Sequence, residues 1–186
     1  EMEAFLTDFE VEGSRMCNEM VKAEWGVATD SNNATNKEIY RQAILKNNNF
    51  TREWHAKAFA GVENLDRYPL DIKRQLNHLT KLGRDALSTN DLTELTDTQS
   101  GIENIYNIAK VCPYEKQDCD IASSDALSLE PELQEIMATS YDYDKLEYVW
   151  TQWREKSGKL MRPGYKKYIE LNNKAADLNG NFEILL

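Results

Sequence analysis

The chain has 186 residues, 41% of them hydrophobic and 29% charged, a balance that suits a compact globular fold with a real core. Its 22 Lys and Arg against 32 Asp and Glu leave a net charge of -10. Nucleic acids and anionic membrane surfaces both need a basic face, so neither is expected as a partner. No apolar run approaches the roughly 20 residues of a membrane span. Glu1-Met2-Glu3 is a poor start for a secretion signal, so any such signal is expected to be absent or already removed.

Helical periodicity runs through nearly the whole chain. Phe5, Phe9, Met16, Met20, Ala23 and Val27 lie on one face of a long helix predicted over residues 2–28. Asp30-Ser31-Asn32-Asn33 breaks it. Thr35 is the expected cap of a second helix, with Glu38 as its capping-box partner. That helix carries Ile39, Ala43 and Ile44 and is predicted to pass Phe50 and Trp54 and reach about Phe59. Asn47-Asn48-Asn49 is its weak point, because Asn side chains compete for backbone hydrogen bonds. Tyr68-Pro69 opens the next helix, with Pro in a first-turn position. Its buried face reads Ile72, Leu76, Leu79 and Leu87, and Thr89-Asn90-Asp91 reads as the break after it.

Ile102, Ile105 and Ile108-Ala109 form a shorter stripe. From Cys112 to Ser128 there is no period, so this stretch is a loop. Pro131 again sits where a helix begins, with Leu133, Ile136 and Met137 on one side. Asp144 starts another helix, carrying Leu146, Val149, Trp150 and Trp153. A Pro163-Gly164 break precedes a last stripe of Tyr168, Leu171, Ala175 and Leu178, and Asn179-Gly180 is the expected stop. No alternating β-branched run, glycine-rich phosphate loop or repeat appears. The predicted fold is all-α: one domain over residues 1–186, an antiparallel array of about seven helices with a loop held by cysteines.

Cys17, Cys112 and Cys119 are the three cysteines, and Asn33-Ala34-Thr35 and Asn49-Phe50-Thr51 are N-glycosylation sequons. A close cysteine pair beside two sequons in an acidic chain points to a secreted, extracellular glycoprotein. Cys17 falls on the Met16/Met20 side of the first helix, so a buried free thiol is its first reading and an intermolecular bridge its second. Tyr141-Asp142-Tyr143-Asp144 is acidic but lacks the spacing and glycine of a calcium loop, so it reads as a solvated helix start. Trp25, Trp54, Trp150 and Trp153 are expected mainly in packing, since Trp150 and Trp153 share helical spacing with Leu146 and Val149.

Residues 129–180 carry a further pattern. Leu129-Glu130-Pro131 leads into Met137-Ala138-Thr139-Ser140, then Trp150-Thr151-Gln152-Trp153-Arg154, then Tyr165 and Tyr168, and last Asn179-Gly180. Upstream, Ala23-Glu24-Trp25 precedes an Asn-x-Thr sequon, and Val111-Cys112 precedes Cys119. The order and spacing of these pieces resemble the N-terminal helical part of the angiotensin-converting enzyme (peptidyl-dipeptidase A) family. The resemblance implies a mainly helical secreted protein, a short disulfide loop between Cys112 and Cys119, and glycans at Asn33 and Asn49. In full-length members the first helices form a lid over a deep peptide-binding cleft, and later helices carry a zinc site. Glu130 matches a glutamate that reaches toward that cleft; charge favoured at a helix start is its simpler reading.

The family's chemistry needs two His one helical turn apart, the intervening Glu of H-E-x-x-H and a downstream Glu. This chain has two histidines, His55 and His78, and neither has a second His four residues on. The final Asn181-Phe182-Glu183-Ile184-Leu185-Leu186 departs from the family pattern and falls before its zinc helix would begin. No catalytic residue, metal ligand or cofactor is therefore expected in this chain alone, and His55 and His78 read as ordinary helix-surface or boundary residues. Two functions compete. One is a secreted, non-catalytic, truncated relative that binds a peptide, a small apolar ligand or a protein partner, with self-association covering helix faces otherwise left bare. The other is the N-terminal fragment of a full-length zinc dipeptidyl carboxypeptidase whose catalytic residues lie elsewhere. A helical structural or storage protein is the plainest alternative.

Overall fold

The computed structural model describes residues 2–30 and 33–180, apart from the side chains of 60–64. Its α-helices are α1 (Met2–Thr29), α2 (Ala34–Gly61), α3 (Leu70–Leu79), α4 (Thr89–Ile108), α5 (Gln134–Thr139), α6 (Tyr143–Lys156) and α7 (Gly158–Leu178). The all-α fold is as predicted. A two-residue antiparallel ladder, β1 (Lys110–Val111) with β2 (Leu127–Ser128), closes the base of the cysteine loop. The chain divides into two compact units, Glu1–Thr96 with Ile169–Leu186, and Asp97–Tyr168.

In the first unit α1 and α2 form an antiparallel pair. The predicted face of α1 is the buried one, with Met16 and Ala23 buried and Phe5, Phe9, Met20 and Val27 partly so. Phe9 stacks on Phe50 at 5.9 Å and meets the edge of Trp54 at 5.4 Å, while Phe5 lies 5.1 Å from Trp54. These aromatic contacts draw packing energy from both area and ring geometry. At the other end of the pair Asn36 Nδ2 donates to the Gly26 carbonyl at 2.9 Å. Leu6, Ile72 and Leu76 form the neighbouring core against α3.

Several local expectations are corrected. The cap of α2 is Asn33, not Thr35: its Oδ1 accepts the backbone N–H groups of Thr35 and Asn36 at 3.0 and 3.2 Å. The Ser31 and Asn32 part of the predicted break lies outside the described residues. Helix α2 runs straight through Asn47–Asn49 because Asn48 is buried, 2% exposed, and spends its amide on a tertiary contact. Its Nδ2 donates to Asp85 Oδ1 at 2.9 Å and to the Asp85 carbonyl at 3.2 Å. Helix α3 stops at Leu79, so Leu87 belongs to a separate segment. Gly83 (φ 56°) opens the short Gly83–Ala86 turn in the left-handed region, and Asn179 clamps it, accepting from Gly83 N at 2.9 Å and donating to its carbonyl at 2.8 Å. Thr89–Asp91 is a helix start, not a break: Ser88 caps it, its Oγ accepting the Asp91 N–H at 3.1 Å and donating to Asp91 Oδ2 at 2.5 Å.

Pro163-Gly164 does not interrupt α7. Pro163 lies in the second turn, where only the exposed Lys159 carbonyl loses an amide partner to it. Gly164 is there for close approach, since a Cβ on it would stand 3.1 Å from Ile102 Cγ1 of α4. The expected stop holds, with Gly180 at φ 72° after Asn179. The departing residues Asn181–Leu186 lie outside the described residues.

Candidate functional site

The second unit has a small core of Val111, Leu133 and Val149, with Leu127, Ile136, Tyr148 and Trp153 packed round it. Sequence places one apolar anchor on each of three segments: the ladder, the Leu129–Thr139 stretch and α6. The Cys112–Cys119 disulfide, with an S–S distance of 2.11 Å, ties the loop between the ladder strands. Lys116 pairs with Asp125 across that loop at 2.9 Å, and Lys145 of α6 reaches Glu115 at 2.7 Å. The hydrogen bond from Lys145 holds the Glu115 carboxyl below its usual range, and burial pushes the Tyr148 phenol up. Helix α6 begins at Tyr143, one residue before the predicted start. Asp142 caps it by accepting the N–H groups of Asp144 and Lys145 at 3.0 and 3.2 Å. That is the structural work of the acidic run.

This framework holds open an apolar groove of about 580 Å³. Leu133 and Val149, both nearly fully buried, make its floor, and Leu129 and Met137 stand on one wall. Trp150 and Trp153 of α6 and Tyr106 of α4 make the other. Trp153 meets the edge of Tyr106 at 5.6 Å with an interplanar angle of 82°. Trp150 corrects an expectation: it is 55% exposed and serves the groove, whereas Trp153 is partly buried as core. Its ring carries the Arg154 guanidinium, whose central carbon lies 3.1 Å from the ring centroid. Arg154 Nη1 also donates to the Trp150 carbonyl at 3.0 Å, which fixes the guanidinium on the rim. Spacing alone puts Trp150 and Trp153 near one side of a helix. That the side faces an opening depends on the Leu129–Thr139 segment, which periodicity does not position.

The other predicted residues fall apart from the groove. Glu130 is exposed, in extended backbone (φ -116°, ψ 130°) after Leu129, and the Glu130–Pro131 peptide is cis. Its Oε1 accepts from Gln134 Nε2 at 2.9 Å, and it is Gln134 that lines the groove. His55 lies in the first unit, its Nε2 3.2 Å from the Thr80 carbonyl and its ring stacked on Phe59; His78 is exposed on α3. Asn49 is exposed on α2, and Asn33 is half-buried, its Nδ2 donating to Asp30 Oδ2 at 3.0 Å. Cys17 is exposed, not buried. It stands one residue, about 100° of helix, beyond Met16, and that rotation carries it off the buried stripe. Trp25 is 70% exposed and Trp54 is core.

The model of the angiotensin-converting enzyme family matches residues 1–184. The chain belongs to that family. Angiotensin-converting enzyme of Bos taurus is 32% identical over 182 residues, 97% of this chain and 13% of its own length. The angiotensin-converting enzyme-like protein Ace3 of Mus musculus is 33% identical over 177 residues, 95% of this chain and 22% of its own. The angiotensin-converting enzyme-related protein of Drosophila melanogaster is 32% identical over 154 residues, 82% of this chain and 23% of its own. The chain thus spans less than a quarter of the length of these relatives. The zinc that the family resemblance implies finds no matching donor set among the described residues. The two histidines stand on different helices without an H-E-x-x-H, and no group of three or more His, Cys, Asp or Glu among the described residues is placed to hold a metal. Nor is any helix among them long and apolar enough to cross a membrane.

Proposed function

We propose that this chain contributes ligand binding, not bond cleavage, to the angiotensin-converting enzyme family, and that the groove of its second unit takes a peptide or small apolar ligand. The observation that carries the reading is the groove itself. Its walls are built from the segments that bear the family pattern, Leu129-Glu130-Pro131, Met137-Ala138 and Trp150–Arg154, around an apolar floor with a few polar groups at the rim. That is the usual composition of a small-ligand site. The disulfide and the two sequons support an extracellular setting.

A second reading is favoured by the share of each relative that the chain covers, 13% of the bovine enzyme. The same residues would then be one wall of a zinc dipeptidyl carboxypeptidase, with the metal and the water-activating Glu supplied by residues outside this sequence. Both readings make the same demand on this chain by itself. Purified as the 186 residues, it contains no stoichiometric zinc and releases no C-terminal dipeptide from a peptide substrate. One zinc per chain together with dipeptide release overturns the proposal. Intact-mass analysis of the protein from its native source separates the two readings: 21.5 kDa plus glycans supports the first, a several-fold larger species the second.

A further inference from the structure

We propose that Tyr141 is a site of tyrosine O-sulfation. The proposal rests on the extracellular setting supported by the disulfide and the sequons, because sulfuryl transfer to tyrosine belongs to the secretory route. It starts from the acidic run Tyr141-Asp142-Tyr143-Asp144, whose one structural task is the capping of α6 by Asp142. A transferase that brings a phenol to a strongly anionic sulfate donor needs a basic cleft. Its acceptor is therefore a tyrosine that stands clear of the fold, on extended backbone, among acids that no nearby cation opposes.

Tyr141 meets each condition. It is the most exposed of the nine tyrosines, its side chain wholly in solvent. Tyr106, Tyr114 and Tyr165, by contrast, lie against Trp153, Tyr148 and Tyr168. Tyr141 sits between the end of α5 at Thr139 and the start of α6 at Tyr143, and both its neighbours are extended: Ser140 at φ -76°, ψ 141° and Asp142 at φ -83°, ψ 110°. Asp142 and Asp144 follow it, both exposed. Lys145 is the one cation within five residues on either side, and its ammonium is committed to Glu115 at 2.7 Å. The face offered to a basic cleft is thus acidic. Tyr143 has an acid on each side and is 73% exposed, but it is the first residue of α6 and its backbone is already wound.

The donor is a phosphosulfate anhydride. The Tyr141 phenol oxygen forms a bond to sulfur, and the bond from sulfur to the bridging phosphate oxygen breaks. The phosphate leaves with that electron pair, and the phenol proton passes to a base of the transferase. Nothing is oxidised or reduced. The product sets a fixed negative charge beside the positive end of α6, where the helix dipole favours it.

The test has two arms, and both use the whole chain. In the first, the purified folded protein is incubated with a tyrosylprotein sulfotransferase and a radiolabelled phosphosulfate donor. Label enters as tyrosine O-sulfate, which alkaline hydrolysis releases intact. Tyr141→Phe removes most of it, and Tyr143→Phe leaves most of it. Asp142→Asn combined with Asp144→Asn keeps the α6 cap, since asparagine caps as well as aspartate. That double replacement lowers kcat/KM for transfer roughly fivefold, the scale of two exposed ion pairs. Label that persists in Tyr141→Phe, or no tyrosine sulfate on the folded chain, overturns the proposal. The second arm maps modifications by mass spectrometry on the protein from its native source. The expected result is a sulfate on the peptide that holds Tyr141, resistant to alkaline phosphatase, together with glycan on Asn33 or Asn49. Glycan with Tyr141 bare, or with Tyr141 carrying a group that the phosphatase removes, overturns the proposal and leaves the extracellular reading standing. A native protein without glycan and with Cys112 and Cys119 reduced removes the extracellular reading and the proposal with it.

Discussion

Asn48 is the buried polar group on which the first unit most depends, and replacing it gives a prediction whose size follows from its contacts. Its Nδ2 makes two hydrogen bonds to Asp85, one to the side chain and one to the carbonyl. Arg52 Nε shares that carbonyl at 2.8 Å, so Asn48→Ala does not orphan it. The Asp85 carboxylate does lose the hydrogen bond from Asn48 Nδ2, and a hydrogen bond to a charged group contributes about 1.5–3 kcal/mol. Alanine returns roughly 0.5 kcal/mol of helix propensity at a position where asparagine is a poor helix former. The expected net loss is about 1–2.5 kcal/mol. For a chain of this length that corresponds to a fall in Tm of roughly 2–10 °C, at about 2–4 °C per kcal/mol. Thermal unfolding followed by circular dichroism at the helical minimum reads it directly. Asn48→Asp should fall further, because it sets a second carboxylate against Asp85. An Asn48→Ala protein as stable as the parent, or more so, would mean that the Asn48–Asp85 contact does not hold α2 to the Gly83–Leu87 segment, and that the uninterrupted helix needs another cause.

Three more outcomes are expected. Gly164→Leu in α7 destabilises by about 1–3 kcal/mol through overpacking against Ile102, and pairing it with Ile102→Ala recovers part of the loss in a double-mutant cycle; additive losses would refute the contact. Replacing both Cys112 and Cys119 by Ser costs about 2–3 kcal/mol, the loop-entropy value for so short a bridge, measured by urea unfolding under oxidising conditions. Cys17 reacts with a thiol reagent in the native protein at a rate close to that of the unfolded chain; protection by a large factor would restore the buried reading.

The helical stripes were legible because they depend only on local period. The buried face of α1, the anchors Leu133 and Val149, and Leu171 with Ala175 on α7 all follow from apolar spacing. Capping was legible in kind but slipped by one or two residues: Asn33 in place of Thr35, Asp142 ahead of Asp144, and the start capped by Ser88 read as a break. Any of several adjacent polar residues can accept the first free N–H groups, and which one does is settled by the chain's entry angle. The larger errors came from tertiary terms. Asn48 survives mid-helix because Asp85 is there to receive it, and Gly164 marks a close helix contact instead of a break because Ile102 faces it. Cys17 shows how narrow a helical face is, since one residue of rotation moved it from expected core to solvent. The groove was the least legible feature. Its residues are named in the family-like stretch, but an opening between Met137 and Trp150 exists only once the cysteine loop and its ladder fix the Leu129–Thr139 segment against α6.

Whether the groove is the binding surface can be read residue by residue by heteronuclear NMR, titrating N-acetyl-Leu-Phe or dodecanoate into labelled protein. The account predicts saturable shifts at the indole N–H groups of Trp150 and Trp153 and the methyl of Met137, with the indoles of Trp25 and Trp54 in the other unit unmoved. Saturable shifts at Trp25 or Trp54 with the groove signals still, or no shift at any of the four indoles, would contradict it.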